Sequence, residues 1–365
     1  MIRKAIIISI YFYIAFSFMS SPVFALDGSG EISLESLEKE TKKQLNSGFS
    51  IKEIIEGLKD GKIKETMQAV WKEERKMILK EEKILKELFV QMLSIGFMMA
   101  IFSNFSKSFV EQYVGTTGFY IAYMMMCSLM MGQFLTMYEL AEEALDGVIT
   151  FVQVLIPTYS LVLVASGSFT SSLATYELFF FLILAVQWGM LVIILPCIKM
   201  SMILKLLNFL SREDVFSGFV ELLENLIRLL LKGAIMIVLL FNIFQSMLLP
   251  AIDSVKNNVI HKGLGFLPGV GQVFGLVANT VVGSGMILKN AIGAAGMLII
   301  CLIVCIPVVK ILLYIGSFLL AGALLQPVTD KRLYQALKGV AESGKLLLQA
   351  LLTSMALFLL TLAII

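Results

Sequence analysis

The chain has 365 residues, 58% of them hydrophobic, and a mean hydropathy of +0.89. That composition is too apolar for a soluble globular protein. A net charge of +2, with no basic patch interleaved with aromatics, excludes nucleic-acid binding as its function.

The first 25 residues read as a secretory signal peptide. Arg3 and Lys4 precede an apolar run from Ala5 to Met19, and Val23-Phe24-Ala25 places small residues where a signal peptidase reads. Cleavage is expected after Ala25, which leaves the mature N-terminus outside the cytoplasm. Residues 26–87 form a charged exported segment with 14 acidic and 13 basic residues, about half of the chain's 27 and 29. The segment reads as helical, punctuated by Gly48 and Gly61. Ser50 and Glu53 form a capping box at the start of a short helix. Further on, Val70/Trp71, Met77/Ile78 and Ile84/Leu85 recur every seven residues, an amphipathic coiled-coil-like stripe. The stripe is either a solvated helix resting on its own membrane domain or a docking surface for a partner outside the membrane. In the second case Trp71 and Met77 are the anchors.

From Leu88 to Ile365 the chain is almost continuously hydrophobic. Leu88–Phe105, Gly118–Met137, Val148–Ser166 (with Pro157 at its centre) and Leu229–Leu249 are of span length. Leu178–Leu210, long enough for more than one crossing, is broken at Pro196, and Ile292–Leu325, again over-long, is broken at Pro307. Gly263–Lys289 is apolar but glycine-rich, and Leu346–Ile365 ends the chain. At about 20 residues per span, these runs amount to roughly six to nine crossings of an all-α polytopic membrane protein.

A shift of 111 residues lays Leu155-Ile156-Pro157 on Phe266-Leu267-Pro268, Leu195-Pro196 on Ile306-Pro307, and Lys199 on Lys310. This suggests a tandem repeat, residues 117–212 and 228–323. The competing reading is chance alignment of apolar sequence. Lysine and arginine cluster at Lys199, Lys205, Arg212, Arg228 and Lys232, and again at Lys331, Arg332, Lys338 and Lys345. The positive-inside rule puts both clusters in the cytoplasm and the acidic stretch Glu139–Asp146, read as a loop, outside. Both repeats then begin and end inside, so they are parallel rather than inverted.

Chemistry-bearing motifs are few. His261 is the single histidine, so no Ser/His/Asp set or HExxH metal site is available, and no GxxxxGK[ST] loop is present. No enzyme activity, metal or cofactor is expected. Cys301 and Cys305, one turn apart, read as small core residues. Glu177 and Lys289 border apolar segments, where snorkelling to the interface accounts for them. Pro196 and Pro307 carry more interest. A mid-membrane proline frees a carbonyl and bends its helix. Breaks at matching positions of two halves mark either a gate or ordinary packing kinks.

The runs Phe266-Leu267-Pro268, Leu288-Lys289-Asn290, Ile306-Pro307-Val308-Val309-Lys310 and Leu324-Leu325-Gln326-Pro327 resemble the stage III sporulation protein AE family. So does Ala141-Glu142-Glu143-Ala144 followed by Leu155-Ile156-Pro157 and Ala165-Ser166-Gly167. The resemblance covers essentially the whole chain and is weakest in the exported segment. It implies a mother-cell membrane protein of a secretion-related, channel-like complex that links mother cell and forespore and sustains forespore development after engulfment. The partners it implies are the other stage III complex members, including a separate ATPase and ring-forming proteins, beside the lipid bilayer. It carries over no catalytic residue. An independent small-molecule transporter and a non-conducting membrane scaffold are the alternative functions.

Overall fold

The computed structural model describes residues 38–39, 86–101, 112–165, 170–210, 215–264, 271–329 and 331–364. Among these residues every regular element is helical. In chain order they are α1 (86–101), α2 (Gln112–Ala165), α3 (Thr170–Gly189), a π-helical turn (Met190–Ile194), α4 (Leu195–Leu210), α5 (Ser217–Leu264), α6 (Gly271–Leu325) and α7 (Lys331–Ile364). Three stretches of the described residues are long and apolar enough to cross a membrane: Phe180–Phe209, Lys289–Leu325 and Lys331–Leu362. Their apolar side chains face outward as well as inward. Trp188, Met200, Leu312, Leu320 and Leu352 are exposed, as suits a lipid solvent.

The centre of the molecule is the antiparallel pair α6 and α7, covered by α2 on one side and by α4 on another. Local chemistry sets the turn between α6 and α7. Pro327 cannot extend α6, and the backbone N–H and hydroxyl of Thr329 both donate to the Leu325 carbonyl at 2.9 and 2.8 Å. Close approach within the pair needs Gly344. A Cβ there would lie 2.9 Å from Ile315 Cγ1 and 3.4 Å from Met137 Sδ, so α2, α6 and α7 meet at this glycine. Hydroxyls elsewhere in the helices are satisfied one turn back: Ser94 donates to Val90, Ser317 to Leu313 and Thr361 to Leu357.

The acidic stretch differs from expectation. Glu139–Asp146 is not a loop but the middle of α2, a single helix of 54 residues, about 81 Å long at 1.5 Å per residue. The reason lies in spacing. Met130, Phe134, Met137, Ala141, Ala144 and Val148 are buried at alternating steps of four and three, so the apolar stripe passes straight through the acidic run. Glu139, Glu143 and Asp146 fall on the exposed face. Tyr138 at the start of the run lies under Lys199 Nζ, 5.0 Å from the ring centroid. The acidic stretch therefore begins level with the basic cluster from which the charge rule separates it.

Of the prolines matched by the 111-residue shift, Pro157 lies inside α2 and Pro268 lies outside the described residues. The glycine-rich run 263–289 lies mostly in α6, and of its side chains only that of Lys289 is described.

Candidate functional site: a buried polar seam against α7

Pro196 and Pro307, matched by the repeat, receive different backbones. Pro196 lacks an N–H, and its ring crowds the carbonyl of Val192. The helix answers with the π turn Met190–Ile194 just ahead of it, where the Leu195 N–H donates to the Met190 carbonyl five residues back. Pro307 lies within α6, which is helical without interruption from Gly271 to Leu325. The structure thus marks one of the two positions with a π turn and carries the other inside a regular helix.

The π turn opens onto a polar seam. Gln187, the last buried polar residue before it, is fully buried and paired with α7. The Ser354 hydroxyl donates to Gln187 Oε1 at 2.7 Å, and Gln187 Nε2 donates to the Ser354 carbonyl at 3.3 Å. Beyond the turn, Ser201, Lys205 and Asn208 follow at i, i+4 and i+7, so they share one face of α4, and all three are buried. Ser201 Oγ is buried and makes no hydrogen bond among the described residues. Asn208 Oδ1 accepts from the backbone N–H of Phe216 at 3.0 Å and ties the end of α4 to the start of α5.

Lys205 is the focus of the seam. It is only 6% exposed. Its Nζ forms an ion pair with Glu224 of α5, lies 3.6 Å from Glu342 Oε2 of α7, and donates to Ser343 Oγ at 3.4 Å. Arg228 joins Glu224 at 3.1 Å from one turn along α5, and Lys338 stands 3.9 Å from Glu342 on α7. A buried ammonium is tolerable only with such compensation, since an unpaired one costs several kcal/mol, about 3–5 when a partner is removed. The cluster joins three helices at one point: α4, α5 and α7.

Not every residue singled out from sequence enters this seam. Ala25, Trp71 and Met77 lie outside the described residues. Lys289 is half-buried at the start of the apolar run of α6, and the side chain of Glu177 is outside the description. Cys301 and Cys305 are half-buried on α6. Of the methionine run, Met124 and Met125 are exposed while Met126 is fully buried. Sequence alone gives Lys205 only the role of a topology marker. The signal that would have found it is a serine, a lysine and an asparagine at helical spacing inside an otherwise apolar run.

Comparison with known proteins places the chain in a family. The family model described as stage III sporulation protein AE matches residues 49–365. The match takes in the charged segment from residue 49, Trp71 and Met77 included, where the resemblance by motif is weakest. The chain is 25% identical over 323 residues to a stage III sporulation protein AE of Bacillus subtilis (strain 168), covering 87% of this chain and 78% of that relative. No solved structure matches. The long apolar helices and a family match across most of the chain lead to one conclusion: the chain belongs to the stage III sporulation protein AE family and so to the proteins of sporulation.

Proposed function

We propose that the chain is a multi-pass membrane component of a channel-like, secretion-related complex between mother cell and forespore, needed for forespore development after engulfment. The observation that carries the reading is the family match over residues 49–365, joined to long helices with apolar outer faces. The partners on this reading are the other stage III proteins, among them a separate ATPase and ring-forming members, and the chain itself performs no catalysis. The signal peptide sets the mature N-terminus outside, in the membrane around the forespore.

Six crossings, one each for α1, α2, the α3–α4 unit, α5, α6 and α7, return the chain to the cytoplasm at the α4–α5 and α6–α7 turns. Those are the turns rich in lysine and arginine. Lys205 and Arg228 from one basic cluster lie within the same ionic network as Lys338 from the other, which supports placing both on one side. Each repeat is then a pair of crossings that starts and ends inside. Pro196 beside its π turn, and Pro307 within α6, are the prolines proposed to act as a gate.

Deleting the gene in an endospore-forming host and complementing it tests the role: spore yield should collapse after engulfment and return with the wild-type copy. Conductance of the purified protein, alone and with its partners, separates the remaining readings. Current only with partners supports a channel component. Current or uptake by the protein alone favours an independent transporter, and none in either setting favours a scaffold.

A further inference from the structure

α7 lies at the centre of the fold, yet its outward face is polar over most of the depth of a bilayer. Within the candidate span Lys331–Leu362, the exposed positions as far as Leu351 are Lys331, Gln335, Lys338, Glu342, Lys345 and Gln349. They follow at alternating steps of four and three, so they form one stripe along the helix. From Lys331 to Gln349 the stripe runs about 27 Å at 1.5 Å per residue, against a hydrocarbon core of about 30 Å. The first large apolar side chain exposed on α7 is Leu352.

Neighbouring helices at the same height present apolar outer faces. α6 is held level with α7 by close contacts. A Cβ on Gly322 would lie 3.6 Å from Tyr334 Cδ2 and 3.7 Å from Leu337 Cβ, and one on Gly344 would lie 2.9 Å from Ile315 Cγ1. Across that height α6 exposes Leu312, Leu319 and Leu320. Lys205 of α4 reaches Ser343, and close by α4 exposes Leu207; Glu224 of α5 reaches Lys205, and close by α5 exposes Leu222 and Leu226. Lipid accepts such faces. It does not accept the α7 stripe, because ionisable side chains in a membrane helix face the bundle interior or a water-filled cavity. Snorkelling serves a lysine near a helix end, but the short amides of Gln335 and Gln349 have no such reach. α2 adds to the demand for water, since Met137 meets Gly344 and the exposed acids Glu139, Glu143 and Asp146 follow it.

We propose that the outer stripe of α7 is the wall of a water-filled cleft in the membrane domain, and that the wall favours anionic solutes. Three lysines stand on it against one glutamate. That glutamate, Glu342, is already shared between Lys205 Nζ at 3.6 Å and Lys338 Nζ at 3.9 Å. Buried Lys205 thus backs the wall with a further cation, and the exposed Arg228 stands beside Glu224 on α5. A cleft lined by an excess of one sign, between low-dielectric walls, raises the local concentration of the opposite sign. Gln335 and Gln349, each with donors and an acceptor, suit contact with water between the charges. Resting on the reading of the chain as a membrane component of a channel-like complex, the proposal adds which helix water and solute touch.

Thiol reactivity of the full-length chain tests the wall, in open membrane fragments from sporulating cells that keep the partners and admit reagent to both faces. Cys127, Cys197, Cys301 and Cys305 are first replaced by Ser. Gln335→Cys and Gln349→Cys then probe the stripe, and Leu320→Cys and Leu312→Cys probe α6 at matching heights. A methanethiosulfonate bearing a sulfonate should modify the stripe positions several-fold faster than the α6 positions. With each rate divided by that for free β-mercaptoethanol, the sulfonate reagent should also outpace its ammonium counterpart on the stripe. Lys345→Gln should remove much of that preference at Gln349→Cys. Equal reactivity on α6 and α7 would put this whole height in water, and protection of the stripe would put lipid or another protein against it; either result would overturn the cleft. A preference for the ammonium reagent would overturn the choice of anions. None of these readings uses current, so the cleft and the channel role can fail separately.

Discussion

α7 and α5 are both long and apolar, yet one is the hub of the fold and the other lies at its edge. α7 buries Leu333, Leu337, Val340, Leu347, Leu351 and Phe358 and packs on α2, α4, α5 and α6. Among its described side chains α5 buries one narrow stripe, Ile227, Leu231, Ala234 and Val238. The difference does not come from hydrophobicity, because lipid is as good a solvent for leucine as another helix is. It comes from small residues and polar pairs. α7 carries Ala336, Gly339, Ala341, Gly344 and Ala350 where neighbours come close, and Ser343 and Ser354 where they form hydrogen bonds. The described face of α5 offers Gly233 and Ala234 and is otherwise mostly leucine and other large side chains. Inside a membrane, a helix becomes central by what it lets approach.

Breaking the ionic tie that Lys205 of α4 makes between the two helices should have the largest effect. Lys205→Met removes the cation that Glu224 and Glu342 share and leaves them to Arg228 and Lys338, a loss of about 1.5–3 kcal/mol, the range for a hydrogen bond to a charged group. Thermal unfolding in detergent should show a large fall in Tm, and adding Glu224→Gln with Glu342→Gln should recover part of it. A Tm equal to the parent's would mean the network is solvent-screened and the tie is nominal.

Packing at the hub comes next. Gly344→Leu pushes a side chain into Ile315 and Met137, an overpacking cost of about 1–3 kcal/mol. Gly233→Leu meets nothing within the chain, so the purified protein should melt at or slightly above the parent's temperature. Equal Tm values for the two variants would erase the contrast between α7 and α5.

A smaller loss is expected at the other end of the seam. Ser354→Ala removes the hydroxyl that Gln187 accepts from, worth about 0.6–2 kcal/mol for an interhelical hydrogen bond in a membrane protein. Gln187→Leu combined with Ser354→Ala should cost less than the two single changes added together. Strict additivity would show that the pair is not coupled.

Least stability is at stake in the prolines. Pro196→Ala and Pro307→Ala together should insert and accumulate normally, since alanine is the best helix former. On the gate reading, forespore development should nevertheless stall after engulfment. Normal spore yield at normal protein level would reduce both prolines to packing kinks.

Much of this architecture was legible because lipid imposes a coarse rule on sequence. The all-helical class, the over-long runs around Pro196 and Pro307, and the stop at Gln326-Pro327 all follow from apolar length and proline chemistry. Charge misleads where it is read as a loop signal. The Glu139–Asp146 run has its acidic residues on one face and Ala141, Ala144 and Leu145 on the other, and only the spacing distinguishes a helix from a loop there. The Lys205 network was beyond reach for a different reason. Its members come from residues 205, 224 and 342, and no local pattern says that α4, α5 and α7 converge. The different backbones at Pro196 and Pro307 were also hidden, because a proline's demand is local while the room to meet it is set by neighbouring helices.

The π turn has one more consequence, a matter of phase. Gln187 and Lys205 are 18 residues apart, about five whole turns of a regular α-helix at 3.6 residues per turn, so an uninterrupted helix would stack them on one face. A π turn takes up one residue more than an α turn and rotates the next section of helix by about 100°. Gln187 is thereby left to α7 alone, while Lys205 is swung toward the groove where α5 joins α7. Met190–Ile194 acts as a one-residue vernier between two sections of the same rod, and the clasp that holds α5 depends on its setting.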